Sequence, residues 1–135
     1  MKKLLPLLLA ALVGVCSCAA SNDPAPADLL IATWESVSTR DVYTSPTGVM
    51  LSDNTIFAQP GIAIVEFTAT EIIIHSGSTI FRRFTYTRNG NTIIRSWGGA
   101  APPEYITELT TSRLVLITTE VRGTNTLNRT STYRR

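Results

Sequence analysis

Ile80-Phe81-Arg82-Arg83-Phe84-Thr85-Tyr86-Thr87-Arg88 runs into Asn89-Gly90-Asn91 and continues as Thr92-Ile93-Ile94-Arg95-Ser96-Trp97. β-Branched and aromatic residues dominate both arms, the types that suit a pleated, half-buried surface. Between them, Asn-Gly supplies the positive φ values that a two-residue type I′ hairpin demands. The stretch therefore reads as two antiparallel strands, and the same texture extends both ways along the chain. Strands are expected at 29–39, 61–68, 71–75, 80–88, 92–97, 105–109, 114–121 and 126–134, parted by short turn signals. Segment 41–60, which holds Ser45-Pro46-Thr47-Gly48 and Ser52-Asp53-Asn54, reads as an irregular crossing with room for one short helix or strand. Gly98-Gly99-Ala100-Ala101-Pro102-Pro103 reads as a loop closed to helix and ladder alike. The fold class is all-β. Eight antiparallel strands joined by short hairpins close into an up-and-down barrel, with a flattened sandwich of the same connectivity as the alternative.

The first residues belong to a different part of the molecule's life. Met1-Lys2-Lys3 precedes an apolar run from Leu4 to Val15, the charged start and short apolar core of a secretory signal. That run is too short to span a hydrocarbon layer, which needs roughly 20 residues of helix. Val15-Cys16-Ser17-Cys18 resembles a bacterial lipobox, in which a small residue precedes the cysteine that receives the lipid and becomes the new N-terminus. The resemblance places the signal peptide at 1–17 and the lipid, palmitate among its acyl chains, on Cys18. Cleavage one register earlier, at Cys16, is the alternative. Residues 18–28 then form a lipidated, proline-punctuated tether, reaching up to about 30 Å at roughly 3.1 Å per residue, and 29–135 the folded domain. The expected location is the cell envelope by lipid anchor, in the outer membrane if the host is Gram-negative.

Charge and inventory narrow the chemistry. The chain of 135 residues carries 12 basic and 10 acidic side chains, but both lysines lie in the leader, so the remainder balances ten arginines against ten acids. A nucleic-acid partner loses its electrostatic footing. No catalytic residues are expected, because His75 is the only histidine and both cysteines sit in the leader region. The same inventory offers no metal cluster, and no cofactor is implied. Glu66 and Glu71 flank one hairpin and could pair as acid and base, but they read better as solvated charges, and His75 as a solvated residue beside a turn.

Leu30-Ile31-Ala32-Thr33-Trp34 resembles the Leu-x-Gly-Thr-Trp opening of bacterial lipocalin-like domains. Ile106-Thr107-Glu108-Leu109-Thr110 through Arg113-Leu114-Val115-Leu116, ending in Tyr133-Arg134-Arg135, is similar to their closing pattern. The resemblance implies that Trp34 plugs one end of the barrel, with Arg134 or Arg135 lying across its ring in a cation–π contact. Ala32 stands where the family usually has glycine. It also implies a lumen for a small apolar or amphipathic ligand.

Arg82 and Arg83 are adjacent in one expected strand, so one of them must point inward; Arg95 raises the same question. Tyr86, Trp97 and Tyr105 could form an aromatic rim, or serve as ordinary core. Arg82, Tyr86, Arg95, Trp97 and Tyr105 are thus the candidate ligand residues. Two functions remain open on the sequence: a lipid-anchored, monomeric binding barrel, or a filled barrel that engages an envelope protein through loops such as 41–60 and 98–103.

Overall fold

The computed structural model describes residues 27–97 and 99–135. Eight strands, β1 (Thr33–Thr44), β3 (Ala63–Phe67), β4 (Glu71–Ser76), β5 (Thr79–Asn89), β6 (Thr92–Trp97), β8 (Glu104–Leu109), β9 (Arg113–Arg122) and β10 (Asn125–Arg134), form a closed antiparallel up-and-down barrel. They match the eight expected strands in order. Closure is made by β10 returning to β1, a ladder that runs from Glu35 opposite Arg134 to Thr44 opposite Thr126. The slimmest seam is β6 against β8, where only Thr92 opposite Tyr105 and Ile93 opposite Glu104 are paired.

Register sorts the side chains, because directly opposed residues share a face of the sheet. Trp34 lies opposite Val65 and Val65 opposite Ile74; Phe67 lies opposite Ile72 and Ile72 opposite Phe84. Across the barrel, Ile106 opposes Leu116 and Leu114 opposes Tyr133. All of these point inward. Trp34, Val65, Phe67, Ile72, Phe84, Ile93, Ile106, Leu114 and Leu116 join Leu30 in one buried cluster. Each such side chain contributes about 1.5 to 3 kcal/mol by leaving water.

Four local expectations are corrected. The chain does not enter the barrel as a strand at 29: Ala27–Leu30 is a single helical turn, α1, and β1 begins at Thr33. Leu30 is buried there, and its carbonyl accepts the indole N–H of Trp34 at 3.0 Å. Segment 41–60 does hold a short strand, one of the options left open for it, but as the second arm of a hairpin and not within an irregular crossing. β1 continues to Thr44, turns through 45–49 and returns as β2 (Met50–Phe57), hydrogen-bonded only to β1. Gly99–Ala100 makes a two-residue strand, β7, paired to β6, because small residues can approach a ladder that prolines beyond them then end.

The fourth correction concerns turn chemistry. Asn89 pairs with Thr92, so the loop residues are Gly90 and Asn91. Only the first has positive φ, at 58°, since no described residue other than glycine does. This is the glycine-first, type II′ form of the two-residue hairpin rather than type I′. Gly77-Ser78 and Gly123-Thr124 repeat the same arrangement.

Candidate functional site

Above the apolar cluster the barrel interior becomes polar. Arg95 on β6 and Glu104 on β8 form a two-point ion pair, 2.9 Å from Nε to Oε2 and 2.6 Å from Nη2 to Oε1. Their side chains are only 17% and 15% exposed, so the pair is largely withdrawn from water. It also crosses the β6–β8 seam just beyond the last backbone pair. On the far wall Asp41 of β1 faces Arg129 of β10, again joined at two points, 2.8 and 2.7 Å. The Arg129 guanidinium holds the Asp41 carboxyl below the usual carboxylate range, and Asp41 in return raises Arg129. Burial pushes the Tyr133 phenol up, and the nearby Glu104 charge pushes the same way. Among the described residues, every buried side-chain nitrogen and oxygen has a hydrogen-bond partner.

The five candidate ligand residues do not all meet. Arg82 lies opposite Ile74 on the inward face, its Cζ 5.9 Å from the Phe84 ring centroid and 5.4 Å from that of Phe81. Arg95 approaches the same Phe84 ring at 5.6 Å. Tyr86 is opposite Arg95, but its hydroxyl donates to the Thr68 carbonyl at 2.7 Å and its ring stands edge-on to Phe67. It is therefore part of the scaffold at the Trp34 end. Tyr105, opposite Thr92 and Ile117, is exposed on the outer wall. The side chain of Trp97 and the expected lipid site, Cys18, lie outside the described residues.

At the other end, Trp34 is completely buried and the Arg135 Cζ lies 4.6 Å from its ring centroid, while Arg135 Nη2 donates to the Leu29 carbonyl. Arg134 turns away and pairs with Glu35 at 2.8 Å. The outer wall also separates the two carboxylates of the hairpin: Glu66 faces His75 at 3.3 Å and Glu71 faces Arg83 at 3.5 Å. His75 is half-buried against this wall rather than solvated.

The feature that sequence reading left undecided, as one short helix or strand, is β2. All eight of its residues are exposed, on both faces, with Ile56 at 62% and Phe57 at 75%. Val49, Met50 and Leu51 add exposed apolar surface at its start. Its one charge, Asp53, is gripped by Arg40 of β1 at 2.8 and 2.5 Å. The bond from Ala58 N–H to the Val37 carbonyl fixes the alternation along this ladder. By that alternation Asn54 and Ile56 bond toward β1, and Asp53, Thr55 and Phe57 turn their N–H and C=O groups away from it. The signals available were the strand-like texture of 38–44 and the apolar ends Met50-Leu51 and Ile56-Phe57, masked by Ser52-Asp53-Asn54 between them. No helix among the described residues is long and apolar enough to cross a membrane. Comparison with family models, with curated proteins and with solved structures gave no match for this chain.

Proposed function

We propose that the chain is a lipid-anchored cell-envelope protein whose barrel is a filled, rigid platform for an interaction strand, β2. The observation that carries this reading is the state of β2: eight exposed residues, an unshared edge and apolar ends, held by a single neighbour. Such an edge is a template for adding another strand. The interior supports the same reading, since the groups that would meet a ligand are engaged with one another in the Arg95–Glu104 and Asp41–Arg129 pairs. Anchoring rests on the lipobox resemblance at Cys18. Replacing Cys18 with alanine is expected to abolish labelling by a palmitate analogue and release the protein from the membrane fraction. Retained labelling would move the site to Cys16 or remove the anchor. For the strand, a photo-crosslinking residue in place of Phe57 is expected to give a discrete adduct in the intact envelope, lost when Thr55→Pro is added. No adduct would overturn the interaction reading.

A second reading, an amphipathic ligand held at the barrel mouth, is favoured by one observation: the Arg82 and Arg95 guanidiniums both flank the inward Phe84 ring. A cationic and aromatic wall suits an acyl chain with a polar head. Native mass spectrometry of the purified chain, compared with its denatured mass, tests it; releasable excess mass would place the ligand reading first.

A further inference from the structure

We infer that the partner of β2 is β2 of a second copy of this chain, paired antiparallel across a two-fold axis. The inference rests on the interaction-strand reading and adds the occupant and its register. It departs from the monomer expected on the sequence alone.

The strand's own sequence, Met50-Leu51-Ser52-Asp53-Asn54-Thr55-Ile56-Phe57, is apolar at both ends and polar in the middle. Reversed against itself, it meets like with like. A two-fold axis through an antiparallel pair must run through a residue that faces its own copy, because opposed residues lie on one side of the pleat. The choice of centre is then small, and charge decides it. Centred on Asp53, the pairing sets two carboxylates directly opposite each other, which is unfavourable. Centred on Ser52 or Thr55, it sets Asp53 against Leu51 or Phe57. Centred on Asn54, it sets Asn54 against Asn54, Asp53 against Thr55 and Ser52 against Ile56, and brings Leu51, the extra residue where the register with β1 shifts, to the end of the ladder beside Phe57. That arrangement leaves Asp53 in its pair with Arg40 and gathers the apolar strand termini, Leu51 and Phe57, at both ends of the ladder.

Backbone geometry agrees with this centre. Asp53 and Thr55 are both among the residues whose N–H and C=O groups face away from β1, so they can exchange hydrogen bonds across the new ladder. The edge also lacks the usual deterrents. β2 contains no lysine and no proline, and its single carboxylate is neutralised within its own sheet. A ladder between two eight-residue strands falls below the roughly 1,000 Å² typical of a stable interface. The dimer is therefore in exchange, and trapping it is the appropriate readout.

The two copies of Asn54 form a non-hydrogen-bonded pair in this register, with Cα atoms about 4.5 Å apart, inside the roughly 4.4 to 6.8 Å that a disulfide spans. Ser52, on the same face and equally exposed, would lie about 13 Å from its copy by strand rise. The full chain is expressed with its leader in a bacterial envelope, oxidised there and run without reductant, with the parent chain as the background for its own cysteines. Asn54→Cys is expected to give a band of twice the chain mass, Ser52→Cys none above the parent. Adding Thr55→Pro removes an N–H that points away from β1 and should abolish the band; Phe57→Lys, a change at an exposed side chain, should do the same if the proline variant fails to fold. No band from Asn54→Cys, equal bands from both cysteines, or a band that survives both Thr55→Pro and Phe57→Lys would overturn self-pairing. A Phe57 photo-adduct of another mass without an Asn54 crosslink would overturn self-pairing and keep the interaction strand; the absence of both would overturn both.

Discussion

Trp34 shows how much a single residue does at one end of the barrel. Its ring is fully buried, its N–H closes on Leu30 of α1, and Arg135 covers its face. Trp34→Ala is expected to cost about 3 to 5 kcal/mol by leaving a cavity in the core, and Arg135→Ala a fraction of that, both read from urea unfolding. Asp41 carries a different kind of consequence. Its carboxyl is lowered below its ordinary value chiefly by hydrogen bonding from Arg129. A group whose folded pKa is depressed contributes stability above its unfolded value and loses it as pH falls through the folded one. The parent protein should therefore lose stability as pH drops below about 4. Asp41→Asn should be less stable at neutral pH, and its stability should fall less across that acid window, as chemical unfolding at stepped pH would show.

Among the elements, the hairpins divide by what their residues advertise. Strands such as β4, with Ile72, Ile73 and Ile74, and β9, with Leu114, Val115 and Leu116, were legible because apolar and β-branched side chains cluster between turn signals. β2 was legible only as one option, a short helix or strand within 41–60: its residues are exposed on both faces, so no alternation of apolar and polar residues marks it. The turn at Gly90 was located from Asn-Gly, but its type depends on which residue the ladder admits last, and the pairing of Asn89 with Thr92 places glycine first. Gly90→Ala is expected to cost about 1 to 2 kcal/mol, the penalty of a Cβ at positive φ, measurable by thermal unfolding. Candidate site residues fared by the same logic. Strand phase showed that one of Arg82 and Arg83 turns inward but not which, because neither face of β5 is cleanly apolar; the pairing with Ile74 selects Arg82. The partner Arg95 finds on the neighbouring strand, Glu104, depends on how β8 sets its register against β6 after the loop between them, which no local pattern encodes.

At the scale of the whole molecule, the barrel is as strong as its β6–β8 seam. Two backbone pairs hold it, extended at one end by the bond from Ile106 N–H to the Asn91 carbonyl at 2.7 Å and at the other by the Arg95–Glu104 ion pair inside. Removing one partner of a largely buried pair is costly, about 3 to 5 kcal/mol, because the other charge stays behind. Arg95→Ala should therefore raise amide exchange first in β6 and β8, ahead of global unfolding. Arg95→Met with Glu104→Leu should recover most of the lost stability, since both charges leave together. Equal exchange in all strands of Arg95→Ala would show that the seam is no weaker than the rest.

Closure by β10 on β1 also sets a timetable. Glu35 and Arg134 are bonded across nearly the whole domain, whereas β3 to β6 are built from neighbours joined by short turns. During synthesis the middle strands can pair as they emerge, and β2 and β3 can cover one edge of β1, but its other edge has no partner until β10 is free of the ribosome. The chain thus carries its own delay: the ring cannot shut while its last strand is still being made.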